Sequence, residues 1–275
     1  MRYRIYLLTL FVLLLAACTP PEEPGDDGIV TDSDIDQGEE VTFPDPAFEQ
    51  CVRSTVFKPE GPIYPADVLG KTQLYCYQEN IVDITGIEFL IDLEDISLYS
   101  NQIVSLEPLR NLKKVRELDL HDNQIEDIGP IIVMNTIEEL SLGSNNISSL
   151  PDDLSGLKNI KRLILGGNKI NNINALSQLQ TLENLQMGNN SVNDISSLTS
   201  LVNLQIFYMS LNKISSIEAI KEMLLLNDLV ITDNCISDFS PIEYLKENGV
   251  LTTVTGDSAE EQQNCTLVSE MPVSM

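Results

Sequence analysis

The chain has 275 residues, and its 42 acidic and 16 basic side chains leave a formal charge of −26. That balance excludes nucleic acid, whose phosphates are held by lysine and arginine, and attraction to a bare anionic lipid surface. It suits a basic protein partner, divalent cations or simple solubility, and the chain has a single histidine.

Residues 1–17 have the parts of a secretory signal: Arg2 and Arg4, an apolar run from Ile5 to Leu15, and the small Ala16 and Ala17. The run is short for a membrane span. Leu15-Ala16-Ala17-Cys18 then resembles the bacterial lipobox, which implies lipidation of Cys18 and a mature chain beginning there. Thr19, where an aspartate would mark retention, implies the outer membrane by the same resemblance to lipoproteins of diderm bacteria. Residues 18–42 hold that cysteine and a stretch with nine acids, no base and almost no large apolar side chain. Such a stretch cannot bury enough surface to order itself, and its like charges extend it. It reads as a tether.

Residues 43–73 read as an N-terminal cap. Asp45 stands where an N-cap belongs, Pro46 at the first helical position. Phe48, Cys51, Val52, Thr55 and Val56 then recur at helical spacing. A second short helix is expected at Pro65–Leu69, stopped by Gly70.

From 74 to 249 one 22-residue pattern recurs eight times. Its clearest copy runs Leu93, Ile96, Leu98, Asn101, Ile103, Leu106, Leu109, Leu112, and the asparagine marks the register at Asn101, Asn123, Asn145, Asn168, Asn190, Asn212 and Asn234. Glu79 takes its place in the first copy, and the one spacing of 23, Asn145 to Asn168, carries an extra residue near Pro151 and Asp152. A single copy cannot fold. About seven aliphatic side chains at roughly 1.5–3 kcal/mol each do not offset the ordering of the backbone at roughly 1–2 kcal/mol per residue. Stacked coils share a core and pair their L-x-L segments as parallel strands. Each asparagine should turn inward, where its amide serves backbone groups left open by the turn, and the three-residue spacing of the other half suits 3₁₀ turns.

Leu118, Leu120, Asn123, Ile125 and Ile128, with their 22-residue recurrence, resemble the leucine-rich repeats of bacterial internalin-like proteins. The resemblance implies an α/β solenoid, a curved right-handed coil with a parallel sheet on its concave face. Residues 250–275 read as a terminal strand and tail: Leu251 lies 22 residues after Leu229, and Gly256 takes the place of the asparagine.

Lipidation of Cys18 leaves four cysteines, which allow three pairings. Eight strands at about 4.8 Å put the two ends roughly 34 Å apart, beyond the ~7 Å reach of a bridge. Cys51 therefore pairs with Cys76 and Cys235 with Cys265, the alternative being two buried free thiols and an unpaired tail. No catalytic constellation, phosphate loop or metal motif is present. His121 beside Asp119 and Asp122 reads as a solvated surface residue, and those acids lack the ordered spacing of a calcium loop. No cofactor is implied.

Strand alternation points three residues of each coil to the concave face. Its first third is aromatic and acidic, with Tyr75, Tyr77, Tyr99, Asp95, Glu117, Asp119 and His121. Its middle is flat, with Gly143, Gly166 and Gly188, and its last third is apolar around Ile206, Tyr208 and Val230. The expectation is a non-enzymatic, lipid-anchored envelope protein that binds a protein, a basic one by charge, or a glycan on this face, touching the membrane only through the lipid. The alternative is a spacer or assembly factor.

Overall fold

The computed structural model describes residues 38–258. The signal segment, Cys18, the tether up to residue 37 and Cys265 lie outside them.

Nine three-residue strands form one parallel sheet in simple sequential order. They are β1 (Gln73–Tyr75), β2 (Asp95–Ser97), β3 (Glu117–Asp119), β4 (Glu139–Ser141), β5 (Arg162–Ile164), β6 (Asn184–Gln186), β7 (Ile206–Tyr208), β8 (Asp228–Val230) and β9 (Thr253–Thr255). The middle residue of each of the first eight, from Leu74 to Leu229, is at most 3% exposed. Their outer neighbours line the concave side of the solenoid. The strands are short because the backbone leaves extended geometry just before the ladder asparagine. Ser100, Asp122, Ser144, Gly167, Asn189, Leu211 and Asp233 all have φ between 53° and 72°, a left-handed region that costs an ordinary side chain roughly 1–2 kcal/mol. Small or hydrogen-bonding residues fill that position except at Leu211.

The asparagines turn inward as their spacing requires. The Asn168 Nδ2 donates to Leu165 O and Leu142 O at 2.9 Å each, while its Oδ1 accepts from the Ile147 amide at 3.0 Å. One partner is in its own coil and two are in the coil before, and the same arrangement recurs from Asn101 to Asn234. On the convex side 3₁₀ turns occupy Ile87–Phe89, Glu107–Leu109, Asn174–Gln178, Ser196–Ser200 and Glu218–Glu222. The two coils between Asn123 and Asn168 cross in plain turns, where Pro130 and Pro151 each remove an N–H donor.

At the N-terminal end, α1 (Pro46–Val56) lays Phe48 and Val52 on the first coil, and α2 (Pro65–Val68) follows. Val41, at the end of the tether composition, is itself buried and donates to Ile63 O. Asp45 does two jobs. Its Oδ1 accepts from the Ala47 and Phe48 amides, capping α1, and its Oδ2 accepts from the Val82 and Asp83 amides of the first repeat. Burial pushes that carboxyl up, but the four N–H donors outweigh it and hold the group below the ordinary carboxylate value. The Cys51–Cys76 disulfide, with Cα atoms 5.7 Å apart, ties α1 to the same coil.

At the other end the expected register is corrected. Leu229 pairs with Val254 rather than Leu251, so the last coil is 25 residues long and Gly256 falls opposite Ile231, not at an asparagine position. The reason is α3 (Ser240–Glu247), an α-helix where other coils have 3₁₀ turns. An α-helix advances ~1.5 Å per residue against ~2.0 Å, so crossing the convex side takes more residues. Cys235 is also disulfide-bonded, and Cys265, its expected partner, lies outside the described residues.

Two outcomes follow from these hydrogen bonds. Asn168→Ala leaves buried backbone groups unpaired and is expected to cost about 1–3 kcal/mol, whereas Asn171→Ala, exposed on the convex turn, should change little; urea melts of both variants check this. Asp45→Ala is expected to cost about 2 kcal/mol at neutral pH through the lost cap. Because the folded-state pKa of Asp45 is depressed, its stabilisation is present above the ordinary value of 3.8 and is lost as pH falls through the folded value. The gap between wild type and variant should therefore shrink in strong acid.

Candidate partner-binding face

In-register pairing decides what meets on the concave face. Asp95, Glu117 and Glu139 sit directly opposite one another on β2, β3 and β4, three carboxylates on strands about 4.8 Å apart. Like charges placed this way are destabilising. Arg162 follows on β5 and reaches Glu139 at 3.8 Å. Burial first, then the charges of Asp95, Glu139 and Glu138, raise the Glu117 carboxyl above its ordinary value. A shallow hollow of about 340 Å³ lies over this column, lined by Asp95, Ser97, Glu117, Asp119, Glu139 and Arg162 among others.

Aromatic side chains flank the acids. The rings of Tyr77 and Tyr99 stack with centroids 5.0 Å apart and planes 12° from parallel, and Tyr77 keeps 47% of its surface exposed. His121 continues this column and lies over Gly143, where an added Cβ would come within 2.6 Å of the imidazole Nδ1. The Tyr75 hydroxyl donates to the Asp95 carboxylate. That hydrogen bond, followed by burial and the Asp95 and Glu117 charges, pushes the phenol up to about 12. Asp119 accepts from the His121 amide at 3.1 Å.

Tyr75, Tyr77, Asp95, Tyr99, Glu117, Asp119 and His121 therefore share one face over β1–β3, while Ile206, Tyr208 and Val230 stand apart on β7 and β8, each half-buried. Tyr208 donates to Asp228 at 2.5 Å, repeating the Tyr75–Asp95 arrangement. This diagonal clip is not evident in a single repeat. It appears only when one coil is laid beside the next, because the two partners stand 20 residues apart. Glu139 and Arg162, which strand alternation also points to the concave face, complete the lining of the hollow. Many of the few bases are used elsewhere: Arg116 bridges Glu94 at 3.9 Å and Glu138 at 3.7 Å, and Lys161 meets Glu138 at 2.6 Å, all just before the strands.

Among the described residues no cluster of three histidine, cysteine or carboxylate side chains could hold a metal ion, and no helix is long and apolar enough to cross a membrane.

Residues 91–132 match the family described as "Leucine Rich repeats (2 copies)", and residues 135–192 match "Leucine rich repeat". Among solved structures, internalin C2 of Listeria monocytogenes is 34% identical, with a TM-score of 0.71, over 78% of this chain and 93% of that one. The chain belongs to the internalin-type leucine-rich-repeat proteins. A plant peptide hormone receptor, RGFR1, in complex with RGF2, is 23% identical over 63% of this chain and 30% of the receptor, with a TM-score of 0.56, a likeness of fold. No curated protein matches the chain in sequence. Leucine-rich-repeat solenoids commonly bind proteins, and stacking of repeats creates the long concave surface they use.

The acidic column in this internalin-type sheet has a measurable cost. A carboxyl whose pKa is raised on folding contributes stability that is present below the unfolded value, ordinarily 4.5, and lost as pH rises through the folded value. Glu117→Gln is therefore expected to gain about 0.2–1 kcal/mol at neutral pH and little near pH 3, as thermal melts at the two pH values would show.

Proposed function

We propose that the protein is a non-enzymatic, lipid-anchored component of a bacterial envelope that binds a protein partner on the first third of its concave face. The observation that carries this reading is the stacked Tyr77–Tyr99 pair beside the in-register column of Asp95, Glu117 and Glu139. The column works against stability, while aromatic rings supply large contact area with few rotors. A positively charged partner surface bearing apolar groups would relieve the one and cover the other. Anchoring rests on the lipobox-like segment ending at Cys18 and on Thr19, which favours the outer membrane. No cofactor enters this role.

The test is capture of a partner from envelope extract, followed by affinity measurement with variants. Tyr99→Ala should weaken the complex by at least ~1 kcal/mol with little change in melting temperature. Salt should weaken it too, since exposed charges are screened beyond about 10 Å at 0.1 M. Unchanged affinity in a Tyr99→Ala, Asp119→Asn double variant would move binding off this patch. Mass spectrometry of the mature protein checks the anchor, and unmodified Cys18 would remove it.

A spacer role is the second reading. It draws on the Tyr75 and Tyr208 hydroxyls, which are committed to carboxylates within the sheet. Retention of every envelope phenotype in the double variant would favour it.

A further inference from the structure

Phe57 is unusual in two independent ways. It is 87% exposed, the most exposed large apolar side chain among the described residues. It also ends α1 in the left-handed region, with φ 59°, the position where glycine is the default because it has no Cβ to strain. Fold stability accounts for neither feature. A glycine would relieve the backbone, and a polar residue would suit the solvent.

The surroundings indicate what Phe57 meets. The Lys71 ammonium lies 5.7 Å from the centre of its ring, and the Lys58 ammonium lies 5.2 Å from that of Tyr64, itself 39% exposed. Leu69 is also exposed. Asp67 pairs with Lys58 and Glu49 with Arg53, both at 2.6 Å, while Lys71 has no ion pair among the described residues and the exposed Glu60 balances its charge. In a chain of charge −26 this locally balanced surface is one that can approach lipid headgroups without strong repulsion. Exposed aromatic rings next to lysines are the combination that sits at a membrane interface, the ring among the glycerols and the ammonium among the phosphates. Position agrees. The chain enters the fold beside this surface, where the Val41 amide donates to Ile63 O, the residue before Tyr64. Cys18 stands twenty residues upstream of Gly38.

We infer that the end of the cap bearing Phe57, Tyr64, Leu69 and Lys71 is a second membrane contact, resting on a phospholipid bilayer and turning the concave face in a fixed direction. The inference deepens the anchored reading above and rests on it. Its occupant is the zwitterionic phospholipid interface rather than an anionic one, which the net charge disfavours.

The test is hydrogen–deuterium exchange on the full-length lipidated protein, in vesicles of phosphatidylcholine and phosphatidylethanolamine and in buffered detergent. Amides of residues 58–71 should exchange at least ~5-fold more slowly on vesicles, while those of the last two repeats stay unchanged. Phe57→Gly should abolish the slowing, and its melting temperature should hold or rise by about 2–4 °C as the backbone strain is relieved. A fall in melting temperature would make Phe57 a structural residue and overturn the inference. So would an absence of slowing in the wild type, slowing retained in the glycine variant, or protection that appears only with a soluble protein partner. The anchor is separated by a chain that begins at Thr19, without signal segment or lipid, mixed with excess vesicles. Slowing of the same amides there supports the contact even if Cys18 proves unmodified, and its absence with an intact anchor on the wild type limits the contact to the tethered protein.

Discussion

Everything in this molecule depends on a side-chain amide shared between neighbouring coils. Each ladder asparagine donates to carbonyls of its own coil and of the coil before, and accepts from an amide of the coil before. No coil is complete by itself, so order passes along the stack, and the in-register sheet and the common aliphatic core follow from it. Asn190 is less buried than the others yet makes the same set of bonds, which shows that geometry rather than depth sets the pattern.

Sharing of this kind creates a problem at each end, and the two ends solve it differently. Glu79 stands where the first asparagine would be, and both Gln78 and Asn80 have positive φ around it. Its coil is held from outside by the Asp45 carboxylate and the Cys51–Cys76 bridge. The last coil exchanges its 3₁₀ turn for α3, whose Ile242 and Leu245 are buried against the core, and the chain re-enters the sheet as β9.

The parallel, in-register arrangement also explains the electrostatics. Repeats of equal length bring equivalent positions into direct opposition, so a residue type repeated in sequence becomes a column in space. Before the strands that column alternates in sign, Glu94, Arg116, Glu138, Lys161 and Glu183, so each base there has an acid on the coils beside it. One position further on it reads Asp95, Glu117, Glu139, which is unfavourable unless something else brings positive charge. Fold and partner binding make opposite demands on this column, which distinguishes it from the asparagine ladder.

The sequence by itself determined the repeat register, the inward asparagines, the cap helices, and which residues look outward on each strand. A strict period with alternating side chains admits one arrangement, since a shift by one residue would expose Leu118 or Leu163 and bury Glu117 or Arg162. The tertiary structure decided what depends on distances between coils or on choices a pattern cannot encode. It placed Tyr75 on Asp95 and Tyr208 on Asp228, stacked Tyr77 on Tyr99, and gave Asp45 its second set of partners across 37 residues. It also turned the I-x-x-I spacing after Asn234 into a helix, moving β9 by three residues relative to the repeat. That spacing fits a 3₁₀ turn and the buried side of a short α-helix equally well, and packing at an end with no following coil selects between them.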